Sequence, residues 1–126
     1  MLGNMLKKFL LILTLLISIP VFAGEYEDAI KLSDKVLLYL YTPNCNYCNR
    51  FAPYYDKLSE IYSGKCKLLK IDATTRYGEE LAKRFGIRFV PYVVLVEVKK
   101  DRGVVITPSC LVEYSCVNKV VDDMLR

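Results

Sequence analysis

The chain has 126 residues, 53% of them apolar, and contains no histidine. That is room for one domain, and it removes imidazole from any catalytic or metal-binding scheme. The formal charge of +4 comes from 18 basic and 14 acidic side chains; Lys7 and Lys8 lie in the first two dozen residues, so the remainder carries only +2. This gives no electrostatic case for nucleic acid.

Lys7 and Lys8 precede an apolar run of about 11 residues, Phe9 to Ile19, which Pro20 breaks, and Val21 and Ala23 stand where a signal peptidase reads. Residues 1–23 are therefore expected to be a secretory signal peptide and residues 24–126 an exported domain, periplasmic or otherwise extracytoplasmic. The run falls short of the roughly 20 residues that span a bilayer. An uncleaved anchor is the alternative, and the only membrane link expected.

Glu25 to Lys35 carries Tyr26, Ala29, Ile30 and Leu32 at near-helical spacing and predicts a short helix. Val36 to Tyr41 is a continuous apolar run, the pattern of a strand buried on both faces. Cys45 to Tyr62 predicts a long helix with Phe51, Tyr54, Tyr55, Leu58, Ile61 and Tyr62 on its apolar side and a kink at Pro53. Ser63-Gly64 ends it. Lys65 to Asp72 predicts a second core strand, after which Thr74 or Thr75 caps a helix that runs through Phe85 to Gly86. Tyr92 to Val98 is a β-prone run, and Lys99 to Gly103 a hairpin turn. Val104 to Tyr114 is expected to be a last strand, which Pro108 places at a sheet edge. Ser115 is expected to cap a final helix with Val117, Val120, Val121, Met124 and Leu125 on one face. The order α-β-α-β-α-β-β-α is that of an α/β sandwich.

The chemistry sits where the first strand runs into the long helix, through Thr42-Pro43-Asn44-Cys45-Asn46-Tyr47-Cys48. Cys45 falls at the helix mouth, where free N–H groups and the dipole favour an anion. A thiolate is an anion, so Cys45 is the candidate nucleophile, and Cys48, one turn in, can reach back to it. C-x-x-C motifs lower a thiol from about 8.5 to about 3.5–7.5. The dipole alone supplies about 0.3–1 kcal/mol, less than one unit at about 1.36 kcal/mol each, so a larger drop needs hydrogen bonds to the sulfur. The other readings of the pair are an inert disulfide or half a metal site. A zinc site would need two further ligands from Cys66, Cys110 and Cys116, which form no second C-x-x-C; no metal and no cofactor are expected. The five cysteines all lie beyond residue 23. Their odd number leaves at least one free thiol or an intermolecular bond.

These residues resemble the thioredoxin superfamily over Lys35 to Arg126. The C-x-x-C lies at a strand-to-helix turn, Pro53 follows five residues after Cys48, and Phe51-Ala52-Pro53…Tyr62-Ser63-Gly64-Lys65, Lys70-Ile71-Asp72, Phe85-Gly86-Ile87-Arg88-Phe89-Val90-Pro91 and Leu111-Val112-Glu113-Tyr114-Ser115 follow in the family's order. The resemblance implies a thioredoxin-like fold: a mixed central sheet with helices on both faces, and Pro91 cis beside Cys45. Val90 and Pro91 would then pair with an extended client segment, with Asn44 and Tyr47 also at the substrate-binding surface. Tyr41, Tyr47, Tyr92 and Tyr114 are expected to gather near Cys45, and Arg50 to lie within reach of the thiolate. In that topology Cys110 and Cys116 lie at the same end of the sheet as the motif. They read as a structural disulfide, as two free thiols, or as a relay to Cys45 and Cys48. Cys66 lies about 14 Å away across the sheet at about 4.8 Å per strand, too far for pairing, and is expected to be buried and unpaired.

The chain departs from the family where Asn44 replaces a tryptophan, Tyr39 a buried aspartate, Leu68 the lysine that partners it, and Asn46-Tyr47 the Gly-Pro between the cysteines. Attack by Cys48 then calls for water or another group as base. The implied function is thiol–disulfide exchange with client proteins, Cys45 attacking and Cys48 resolving, with a reductase favoured over an oxidase. A monomer is expected, with a membrane partner possible for recycling. The alternative is a non-catalytic binding module or assembly factor.

Overall fold

A computed structural model describes residues 24–126; the expected signal peptide lies outside them. The chain runs α1 (Glu25–Leu32), β1 (Lys35–Tyr41), α2 (Asn46–Tyr62), β2 (Lys67–Asp72), α3 (Arg76–Phe85), β3 (Tyr92–Glu97), a 3-10 turn (Val98–Lys100), β4 (Arg102–Val105), α4 (Pro108–Leu111) and α5 (Tyr114–Leu125). The sheet order is β2-β1-β3-β4, with β1 parallel to β2 and antiparallel to β3, and β4 antiparallel on the outer edge.

The apolar run Val36–Leu40 is buried throughout, because strand side chains alternate between two covered faces. Leu37 and Tyr39 point to one face, with Val93 and Leu95 of β3. There they meet Phe51, Leu58 and Tyr62 of α2, Leu111 of α4, and Val117 and Val121 of α5. Val36, Leu38 and Leu40 point to the other face, with Val94 and Val96, against Tyr26 and Ala29 of α1 and Leu81 of α3.

The turn chemistry explains the helix ends. The Thr75 hydroxyl accepts the Gly78 N–H at 3.0 Å and caps α3. Gly86, at φ 65°, closes α3 by donating its own N–H to the Ala82 and Lys83 carbonyls. A buried Glu27 carboxylate ties α1 to α3 by accepting from Arg84 at 2.5 Å and from the Tyr77 hydroxyl at 2.7 Å. Among the described residues no helix is long and apolar enough to cross a membrane.

Two expectations are corrected at the C-terminal end. The last strand ends at Val105 rather than continuing to Tyr114. Pro108 instead occupies the first turn of α4, behind Thr107. Proline suits that position, because its missing N–H would find no partner there in any case. Ser115 lies inside α5 and the N-cap is Glu113, whose carbonyl accepts from Cys116 and Val117. The hairpin turn is built on the 3-10 turn and Asp101, at φ 47°, with Gly103 already in β4.

Candidate active site

The turn after β1 delivers Cys45 as the N-cap of α2, in extended backbone conformation. Cys45 and Cys48 are joined in a disulfide with their Cα atoms 5.1 Å apart. Cys45 is half-exposed, while Cys48 is only 2% exposed. The Cys48 N–H donates to the Cys45 sulfur at 3.1 Å. That bond costs nothing to the helix, since this N–H is one of the first-turn donors without an intrahelical partner. It is also the contact that favours a thiolate once the disulfide opens. The half-exposed sulfur is therefore the one toward which this first-turn N–H points. The Val90-Pro91 bond is cis, and the Val90 carbonyl oxygen lies 3.9 Å from the Cys45 sulfur.

Tyr39 lies beneath the motif. It is buried and packs edge-on against Phe51 at 4.8 Å between ring centroids. Its hydroxyl donates to the Cys48 carbonyl at 3.1 Å. Burial, then the charges of Tyr41, Asp56 and Tyr55, push this phenol up to about 12. It therefore remains a donor throughout the neutral range and does not supply the base that Cys48 needs. Leu68 packs against the same core, so no lysine replaces the missing acid's partner.

Beside the disulfide lies a groove of about 440 Å³, lined by Tyr47, Arg50, Phe89, Val90, Pro91, Pro108, Ser109, Leu111 and Val112. Tyr47, Phe89 and Val112 are among the few large apolar side chains that stay exposed among the described residues. Val90, Pro91 and Tyr47 line this groove, whereas Asn44 is exposed in the turn before Cys45 and is not among the lining residues. The Arg50 guanidinium lies over the Tyr47 ring, 5.7 Å from its centroid.

The expected tyrosine cluster does not form. Tyr92 joins the α1/α3 face, with its ring against Phe89. Tyr41 stacks under Lys70, and Tyr114 meets Tyr54 and Lys57. Strand alternation and helix position disperse them. The sequence reading missed Phe89 and the α4 residues as groove residues. Phe89 could have been found from its place directly before Val90-Pro91, and α4 from the Thr107-Pro108 pair.

Cys110 and Cys116 form a second disulfide with Cα atoms 5.3 Å apart. It joins α4 to α5, not an edge strand to a helix. Cys66 is free and buried, and burial pushes its thiol up to about 11, against a smaller opposing effect of Lys35.

A mixed sheet between two helical layers, with a vicinal cysteine pair at the mouth of the helix after its central strand, defines a class of dithiol–disulfide proteins. The chain belongs to the thioredoxin family: the family model named Thioredoxin matches residues 18–109. It is similar to human protein disulfide-isomerase A4, at 33% identity over 84 residues, covering 64% of this chain and 12% of that protein. It is also similar to thioredoxin from Synechocystis, at 32% over 73 residues, covering 58% of this chain and 66% of that one. The first thioredoxin domain of mouse protein disulfide-isomerase A4 superposes with a TM-score of 0.64 at 26% identity, over 84% of this chain and 74% of that one. The fold is the thioredoxin fold. The chain spans less than two thirds of the length of the two full-length relatives.

Proposed function

We propose that this chain is a thiol–disulfide oxidoreductase acting on the disulfides of client proteins. The observation that carries this is the bonded Cys45–Cys48 pair, with an accessible Cys45 held by the Cys48 N–H. Cys45 thiolate attacks one client sulfur, forming a mixed disulfide and releasing the other sulfur as a thiolate, which takes up a proton. Cys48 then loses its proton to water and attacks Cys45. The client leaves as a dithiol, and the pair returns to the disulfide. The client segment that fits is extended, with a bulky apolar side chain near its cysteine for the groove between Phe89 and Leu111.

Reduction is the favoured direction. A pair becomes oxidising when its reduced form is strongly stabilised. Here no histidine exists to hold the Cys45 thiolate, and the hydrogen bond on that sulfur comes from one N–H. The reading also includes export to a periplasmic or other extracytoplasmic space, supported by the leader pattern of residues 1–23 and by the second disulfide. In that space the oxidised pair needs an external dithiol, and a membrane redox partner is the source we propose. The groove and both cysteines come from one chain, which supports a working monomer.

Insulin reduction followed by turbidity tests the activity, with Cys45→Ser as control. Turbidity from wild type and none from the variant is the expected result; silence from both sinks the reading. Equilibration of the pair against glutathione tests the direction.

A further inference from the structure

The Cys110–Cys116 disulfide is not itself part of the groove, yet it fastens one of the groove's walls. Pro108, Ser109, Leu111 and Val112 all line that space, and all belong to α4 or the residue after it. The helix has four residues, too few to persist alone, since a helical nucleus is costly. It is tied down by backbone bonds from Cys110 and Leu111 to the Thr107 carbonyl and from Glu113 to the Cys110 carbonyl. Leu111 is buried in the core, while Val112 beside it stands 48% exposed at the groove. Two further ties reach this segment: the Tyr54 hydroxyl of α2 donates to the Val112 carbonyl at 3.5 Å, and Cys110, buried, is bonded to half-exposed Cys116 in the first turn of α5. The same turn of α5 is anchored by the next residue, fully buried Val117.

We propose that the Cys110–Cys116 disulfide positions the α4 wall of the client groove, and that it acts on client recognition rather than on the exchange chemistry. This rests on the reading of Cys45–Cys48 as a client-directed pair. With the bond closed, the wall is ordered before the client arrives. With it open, the client must order the wall itself, and binding weakens by that amount. Cys110 and Cys116 are positioning residues and transfer no electrons to the client.

The test is a kinetic split with a binding measurement beside it. In the first arm, Cys110→Ser/Cys116→Ser is compared with wild type on insulin. The expected result is a KM raised about fivefold, the scale of re-ordering one or two groove side chains, with kcat held within about twofold. A kcat that falls with KM unchanged overturns the proposal. In the second arm, a Cys45→Ser/Cys48→Ser chain binds fluorescein-labelled, S-carboxymethylated insulin B chain with and without dithiothreitol. There the reductant gives two electrons and two protons to Cys110–Cys116, becoming a cyclic disulfide. Circular dichroism confirms that the fold persists. A dissociation constant raised about fivefold on reduction supports the proposal, and equal affinity in the two states overturns it. This arm needs no turnover and stands if the serine variant of the second pair does not fold. Wild type inactive on insulin and on hydroxyethyl disulfide alike would overturn the oxidoreductase reading, while the binding arm still decides the role of α4.

Discussion

Two cysteine pairs in this chain form the same bond in opposite settings. Cys45–Cys48 sits at the open end of a 17-residue helix, with a backbone N–H on its outer sulfur and an apolar groove alongside. Cys110–Cys116 joins two short-range neighbours, α4 and α5, with Cys110 buried. Sulfur chemistry is common to both, so surroundings decide what each does. Exchange needs an accessible sulfur that is stable as an anion, and the second pair shows no such donor. Cys66 completes the contrast, since burial without a donor pushes its thiol up to about 11 and leaves it inert at neutral pH.

The largest effects separate the two pairs outright. Cys45→Ser should bring insulin reduction down to the uncatalysed background, because among the described residues no other half-exposed cysteine sulfur accepts a first-turn backbone N–H. Cys48→Ser should keep the first attack and stop at a mixed disulfide, visible by mass spectrometry as a covalent client adduct. Turnover retained by Cys45→Ser would erase the distinction between the pairs. Opening the second pair should show mainly as stability. Closing a separation of six residues is worth about 2 kcal/mol in the chain-entropy picture, so Cys110→Ser/Cys116→Ser should lower the denaturation free energy by that amount in urea. The reduction potential of Cys45–Cys48 should stay where it is, and a shifted potential would show that the pairs communicate.

A smaller effect probes what lies under the reactive pair. Tyr39→Phe removes the hydrogen bond to the Cys48 carbonyl and should cost about 1 kcal/mol of stability at neutral pH. It should also change the alkaline limb. The Tyr39 phenol is raised from 10.0 to about 12 in the folded chain, so its proton is held more tightly folded than unfolded. That stabilisation is complete below about pH 10 and is lost as pH climbs toward 12. The Phe variant should therefore lose stability less steeply than wild type across that window in urea titrations. Parallel curves would show that Tyr39 titrates as an ordinary phenol. The pH–rate profile of resolution should carry no titration of a buried carboxylate in either chain, because the family's acid is absent here.

The reactive pair was legible in the sequence and the groove only half so, for physical reasons. A strand covered on both faces reads as an unbroken apolar run, and Val36–Tyr41 could be little else. Thr74 or Thr75 and Gly86 announced the ends of α3 because a hydroxyl acceptor and a left-handed turn are local needs. Pro108 was ambiguous: the same ring that breaks a strand also starts a helix. Reading it as a strand breaker put Leu111 and Val112 on an edge strand and hid one wall of the groove. The tyrosines were misplaced for the opposite reason. Their side chains are long, and where a ring settles depends on neighbours such as Phe89, Lys70 and Tyr54 that no local pattern reveals. A sequence separation of six between Cys110 and Cys116 was compatible with a bond and did not require one.

The smallest effect concerns Arg50, the cation beside the reactive pair. Two roles compete for it: holding the Cys45 thiolate, or shaping the rim of the groove. The contact it makes is with the Tyr47 ring, 5.7 Å from the centroid, and both side chains are exposed. Such a pair is worth about 0.5–1 kcal/mol, so Arg50→Ala should raise the insulin KM about two- to fivefold through a looser Tyr47 and leave kcat alone. If Arg50 instead held the thiolate, losing the cation would disfavour the anion, and alkylation of Cys45 by iodoacetamide would move to higher pH. The expected alkylation profile is unchanged, since the donor on that sulfur is the Cys48 N–H, which the substitution does not touch. A profile displaced toward alkaline pH would mean that the anion at the helix mouth depends on a side chain as well as on the backbone, and would narrow the contrast between the two pairs to accessibility alone.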